Sequence, residues 1–146
     1  MLANASTKVI PTKEKIQQLQ ESMLEIRTDM PEAVHHFIPG VYCREFTMPA
    51  GMLVVGKIHK HSHPMMVIEG RAEIVTEFGR DIVEAGFCAV SPPGAKRVVL
   101  ALEDTTFMTF HHNPDGVCDL EIIEAQHIED ENFQLEFHQS IERLLK

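Results

Sequence analysis

Residues 56–70 read GKIHKHSHPMMVIEG: His59, His61 and His63 fall at alternate positions and an apolar run follows. On a continuous strand, alternate residues share a face and lie about 6.6 Å apart. Metal–imidazole bonds are only about 2.0–2.1 Å long. His59 and His63, about 13 Å apart on a straight strand, therefore meet only if the chain reverses between them. The intervening residues are polar, and Pro64 follows, so a reversal is reasonable there. It would put His59 and His63 on neighbouring strands facing one cavity, with His61 at the turn. The alternative is a solvated hairpin whose histidines do no chemistry.

The surroundings read as strands. Through residues 38–112 short apolar runs (VYCREFTM, MLVVGKIH, MMVIEG, RAEIVTE, DIVEAG, FCAVS, RVVLALE, TTFMTFHH) are broken by Gly and Pro. Regular spacing of this kind predicts a β-sandwich or barrel. Outside it the period changes. Ile16, Leu19, Met23 and Ile26 recur at spacings of three and four, and Thr12 can cap that helix. Its narrow stripe fits either its own domain or a second subunit. Phe133, Phe137, Ile141 and Leu144 make a similar face near the C-terminus. The expected layout is a tail and amphipathic helix over 1–34, a β-barrel over 35–125, and a helix over 126–146 packed on the barrel.

The spacing resembles that of the cupin superfamily, a small jelly-roll β-barrel. Its first motif, G(X)5HXH(X)3-4E(X)6G, matches Gly51, Lys57, His59, His63 and Gly70 in spacing. Its second, G(X)5PXG(X)2H(X)3N, matches Gly86, Pro92, Gly94, Arg97 and Ala101. The resemblance implies an all-β single barrel, here with an N-terminal and a C-terminal α-helix. It also implies a metal site that departs from the usual one. Of the family's ligand positions only His59 is kept; His63 replaces the Glu, while Lys57 and Arg97 replace histidines. Lys and Arg are normally protonated and have no lone pair to give. A third nitrogen would come from His111 or His112, with His111 favoured because it shares parity with Phe107 and Thr109. His61 is a further candidate. A three-His site with open positions suits a divalent transition metal: Zn, Fe, Mn or Ni. The wider stretch over residues 35–112 also resembles small bacteriophage-encoded cupins, which implies a viral or prophage origin and a bacterial host cytoplasm.

Strand parity also turns cations inward. Lys57 shares parity with His59, and Arg44 with Tyr42 and Phe46; Arg97 stands where a ligand is usual. Cations beside imidazoles suit a small anionic ligand. The alternative is internal pairing with Glu45, Glu69, Glu73 or Asp104. The formal charge of −9 over 146 residues argues against general nucleic-acid binding. No apolar run reaches the roughly 20 residues that span a bilayer, and the opening residues lack the apolar core of a signal peptide. Cys43, Cys88 and Cys118 form neither a paired framework nor a metal knuckle, which fits reduced thiols in a cytoplasm; Cys88, in an apolar run, is expected to be buried. Three functions compete: a metal-dependent enzyme (oxygenase, isomerase or decarboxylase), a non-catalytic binder of a small molecule such as a nucleotide, and a structural homodimer or larger homo-oligomer with a vestigial pocket.

Overall fold

In a computed structural model, which describes residues 32–76, 79–95 and 97–130, the described residues form nine strands followed by one helix. The strands are β1 (Val34–Ile38), β2 (Gly40–Met48), β3 (Leu53–Val55), β4 (His63–Glu69), β5 (Arg71–Thr76), β6 (Gly79–Glu84), β7 (Cys88–Ser91), β8 (Val98–Ala101) and β9 (Thr105–Asn113). Helix α1 spans Leu120–His127. The predicted N-terminal helix lies outside the described residues, as does most of the predicted C-terminal one.

The strands make two antiparallel sheets, ordered β1-β2-β9-β4-β7 and β3-β8-β5-β6. The cavity is thus closed by two facing sheets. Their inner faces meet in one core: Met48, Met65, Val67 and Phe107 from the first sheet pack on Val54, Ala72, Ile74, Val83 and Ala101 from the second. Period-two patterning drives this, since each strand can bury only alternate side chains. Cys88 corrects the expectation of burial. It is exposed, because β7 is the edge of its sheet and the alternation there turns Cys88 outward.

Register on the first sheet places its inward residues in rows. Phe46 lies opposite Phe107, which lies opposite Val67; Arg44 lies opposite Thr109, which lies opposite Met65. Tyr42 lies opposite His111, and continuing the β4–β9 register by two residues sets His63 beside His111. One face therefore runs from an apolar row, through a row carrying Arg44, to a row carrying histidines. Adjacent rows are about 6.6 Å apart.

The wall at the histidine end is α1. Asn113, almost fully buried, clamps the approach to it: its side-chain amide donates to the Val117 carbonyl and its amide oxygen accepts from the Val117 N–H, both at 3.0 Å. Asp119 caps the helix by accepting from Glu121 N and Ile122 N. The chain leaving α1 then pairs with residues 58–60. Lys60 N donates to the His127 carbonyl (2.8 Å) and Glu129 N to the Ile58 carbonyl (3.0 Å).

Candidate metal centre

His59, His63 and His111 converge. Their ligand nitrogens all lie within 4.8 Å of one another, and the ring centroids are 4.2 Å apart for His59–His63, 4.8 Å for His63–His111 and 5.3 Å for His59–His111. Different parts of the fold supply each. His63 opens β4 and His111 lies near the end of neighbouring β9. His59 arrives from the segment after β3, pinned by Gly94 N–H to its carbonyl (3.0 Å) and by a bridge to Ile128. His59 and His63 meet as expected from sequence, but His59 does so from outside the named strands rather than from a strand next to β4.

The rings are prepared as neutral ligands. His63 Nδ1 donates to the His61 carbonyl at 3.4 Å, which leaves its lone pair on Nε2. That Nε2 is buried without a hydrogen-bond partner among the described residues. Burying an unsatisfied polar atom costs free energy, and a metal ion would remove the cost. His111 Nε2 meets Thr109 Oγ1 at 2.9 Å. Burial above all, then neighbouring cations, holds all three below the ordinary imidazole value of 6.5: His59 at about 2, His63 at about 4 and His111 at about 3. Arg97 adds to the shift of each, and the other imidazoles to those of His59 and His111. Neutral imidazoles are what a metal requires. The donor set thus fits a divalent ion, with the nitrogens drawing in to the roughly 3 Å spacing set by bonds of about 2.0–2.1 Å.

A pH effect follows. The unfolded chain takes up protons near 6.5, whereas the folded one resists until pH falls to about 4 and below. Stability is therefore present above 6.5 and lost as pH falls through that window, by up to about 1.4 kcal/mol per pH unit for each group. Metal-free protein followed by thermal melting should show a midpoint that declines steadily from neutrality towards pH 4. A flat midpoint across that range contradicts the assignment of these rings as buried and neutral.

Among the other predicted residues, His112 is exposed and His111 is buried, in keeping with strand parity. His61 is exposed and stands outside the convergent group, its ring edge-on to His127 at 5.8 Å. The turn that brings His59 to His63 leaves His61 on its outer side. Lys57 lines the mouth of the cavity but stays about half exposed, paired with Glu124 of α1. It lines the same cavity as His59, but from the exposed rim, because β3 ends at Val55. Arg44 and Arg97 both line the cavity. The guanidinium of Arg44 lies 4.5 Å from the Phe46 ring centroid. Arg97 Nη1 approaches Met65 Sδ at 2.8 Å, which brings it to the middle row at its β4 end, across Thr109 from Arg44. None of the acidic partners considered from sequence neutralises them: Glu45 meets His36, Glu73 meets Arg80, and Asp104 accepts from Ala50 N. Glu69 is exposed and makes no ion pair among the described residues.

Four residues of the site escaped sequence reasoning. Tyr42 is buried; its hydroxyl meets His35 Nδ1 at 2.7 Å and its ring stacks on His111 at 5.7 Å. His127 is buried with its ring 5.5 Å from His111, and Glu124 stands at the mouth. Parity with Arg44 signalled Tyr42, but nothing in the local pattern marks His35, Glu124 or His127.

No protein-family profile matches the chain, and no curated protein matches it in sequence. Solved structures do. A salicylate 1,2-dioxygenase from Pseudaminobacter salicylatoxidans is 19% identical with a TM-score of 0.52, over 76% of this chain and 35% of the dioxygenase. The EutQ protein of Clostridium difficile is 16% identical with a TM-score of 0.51, over 66% of this chain and 79% of that one. A cupin-2 domain containing protein from Shewanella frigidimarina is 14% identical with a TM-score of 0.49, over 65% of this chain and 99% of that one. Likeness at these identities concerns fold alone. The chain shares the two-sheet β-sandwich fold of these structures, and its three-His cluster could hold a metal.

Proposed function

We propose that His59, His63 and His111 hold a divalent transition metal (Zn, Fe, Mn or Ni) at which the protein binds a small anionic molecule. The observation that carries this reading is the buried, partnerless Nε2 of His63 facing two other neutral imidazoles. Three neutral ligands leave the ion's double charge uncompensated and positions open, so an anion is the natural fourth partner. Arg44 and Arg97 favour the same charge. When bound, the metal would polarise a ligand oxygen or activate water.

This chain's own residues would do the rest. Tyr42 and Thr109 fix the His111 ring, the His61 carbonyl fixes the tautomer of His63, and α1 shields the centre from solvent. A metal-dependent enzyme acting on a small organic anion is the reading we adopt. The one cavity-lining carboxylate among the described residues, Glu124, is held by Lys57, which favours sequestration without turnover as the second reading. The phage-type origin rests on sequence resemblance alone, the bacterial cytoplasm on that and on the unpaired cysteines, and the homo-oligomer on the apolar stripe of Ile16, Leu19, Met23 and Ile26.

Elemental analysis tests the metal. Protein produced with the four metals supplied should carry about one equivalent per chain, lose it to a chelator and regain it on titration. Protein that stays metal-free under those conditions overturns the proposal.

A further inference from the structure

The two cavity arginines bear on which anion the site takes. Both guanidinia are partly buried, and among the described residues neither lies in an ion pair, although Glu124 acts on Arg44 from the mouth; cations drawn into a fold are ordinarily paired. Arg44 belongs to the middle row of the cavity, opposite Thr109, and Arg97 reaches the same row at Met65, between the histidines and the apolar row of Phe46 and Phe107. Val54 and Val99 from the facing sheet, and Ile123 from α1, complete apolar walls around them. The cavity measures about 310 Å³, at the small end of ligand pockets, which run about 300–1,000 Å³. At its mouth stands Glu124, a negative charge that disfavours a ligand with charge left over beyond the arginines.

We propose that the ligand is a small apolar monocarboxylate, an aromatic or branched aliphatic acid, whose carboxylate lies between Arg44 and Arg97 while its apolar body packs on Phe46, Phe107 and Val54. A planar carboxylate matches the guanidinium fork and accepts paired N–H bonds from it. The apolar walls give favourable burial to a hydrocarbon body and none to a second phosphate or a ribose. Nucleotides, considered from sequence, are disfavoured on both counts. This inference deepens the proposed metal site and rests on that reading for what happens next to the carboxylate. The arginine contacts themselves do not need the ion.

The test is calorimetry on the full chain, once zinc-loaded and once chelator-stripped, with benzoate, cyclohexanecarboxylate, benzyl alcohol and inorganic phosphate as probes. Both carboxylates should bind in both states, and benzyl alcohol and phosphate at least about tenfold more weakly. Arg97→Gln and Arg44→Gln should each weaken benzoate by about thirtyfold or more, the scale expected when one partner of a buried charge pair is removed. Arg97→Lys should recover part of that loss, which a collapsed fold would not. Phosphate binding as tightly as benzoate, benzyl alcohol matching it, unchanged benzoate affinity in Arg97→Gln, or no binding of either carboxylate at millimolar concentration each overturns the inference. Arginine-dependent benzoate binding in a chain that never takes up metal would instead sink the metal reading and leave this one standing.

Discussion

Replacing His63 with alanine is expected to empty the centre of metal while leaving the fold intact. Binding of a structural or catalytic ion by a small set of ligands is worth on the order of 10 kcal/mol or more at neutral pH. One ligand of three therefore carries roughly 3 kcal/mol, which is a loss of at least about a hundredfold in affinity. His63 is the sharpest probe because its Nε2 is buried and has no hydrogen bond to lose. Removing most buried polar side chains leaves a stranded partner, whereas here only the His61 carbonyl loses a donor, at the long distance of 3.4 Å. Metal-free His63→Ala should therefore melt close to metal-free wild type at neutral pH. His59→Ala and His111→Ala should also lose the metal. His61→Ala and His112→Ala alter exposed histidines one or two positions away and should keep it. Competition with a chromophoric chelator measures all five, and retention of full affinity by His63→Ala would refute the assignment.

Gly70→Ala is expected to be the most damaging single change to the sandwich. Gly70 is the one-residue link between β4 of one sheet and β5 of the other. Its φ of +86° lies in the left-handed region, where a Cβ costs roughly 1–2 kcal/mol. Space is the larger obstacle. A Cβ there would lie 2.1 Å from the Asp104 carbonyl oxygen and 2.7 Å from Thr105 Cα, both backbone atoms. Those atoms are held in turn, since buried Thr105 Oγ1 accepts from Arg71 N and donates to carbonyls at Arg71 or Glu103. The sheets would have to part at their link. A loss of about 4 kcal/mol or more is expected, seen as a fall in melting temperature of more than about 10 °C or as insoluble protein. Gly51 has nearly the same φ, +85°, and open space around it. Gly51→Ala should cost only the left-handed strain, about 1 kcal/mol. Equal melting of the two variants would show that the close approach at Gly70 is not what holds the link.

These two residues also mark what was legible in the sequence. Gly51, Gly70, Gly86 and Gly94 stand at spacings that turn geometry enforces, and each has positive φ in the structure. Alternation within β2 and β9 correctly separated Arg44 from its neighbours and His111 from His112, because both strands are long and regularly paired. The same logic brought Lys57 only to the exposed rim of the cavity. There the strand stops at Val55 and parity has no meaning beyond it. His59 reaches the site through tertiary hydrogen bonds to Gly94 and the chain after α1. Contacts so distant in sequence leave no local period. Helix α1 was missed for a related reason. It is only eight residues long with Ile123 and His127 as its buried positions, too few to write a helical stripe. With it went Glu124 and His127, the residues that close the mouth. β1 was also missed; its outward positions, Val34, His36 and Ile38, mix apolar with polar residues and blur the alternation.

The central claim is that three imidazoles from separate parts of the sandwich share one ion. Crystals of protein grown with zinc, with data collected on both sides of the zinc absorption edge, test it most directly. The account predicts one anomalous peak per chain, about 2.0–2.1 Å from a nitrogen of each of His59, His63 and His111, with Arg44 and Arg97 beside it but not bound to it. An anomalous map with no peak between those three rings, or with the zinc seated elsewhere on the chain, would contradict it.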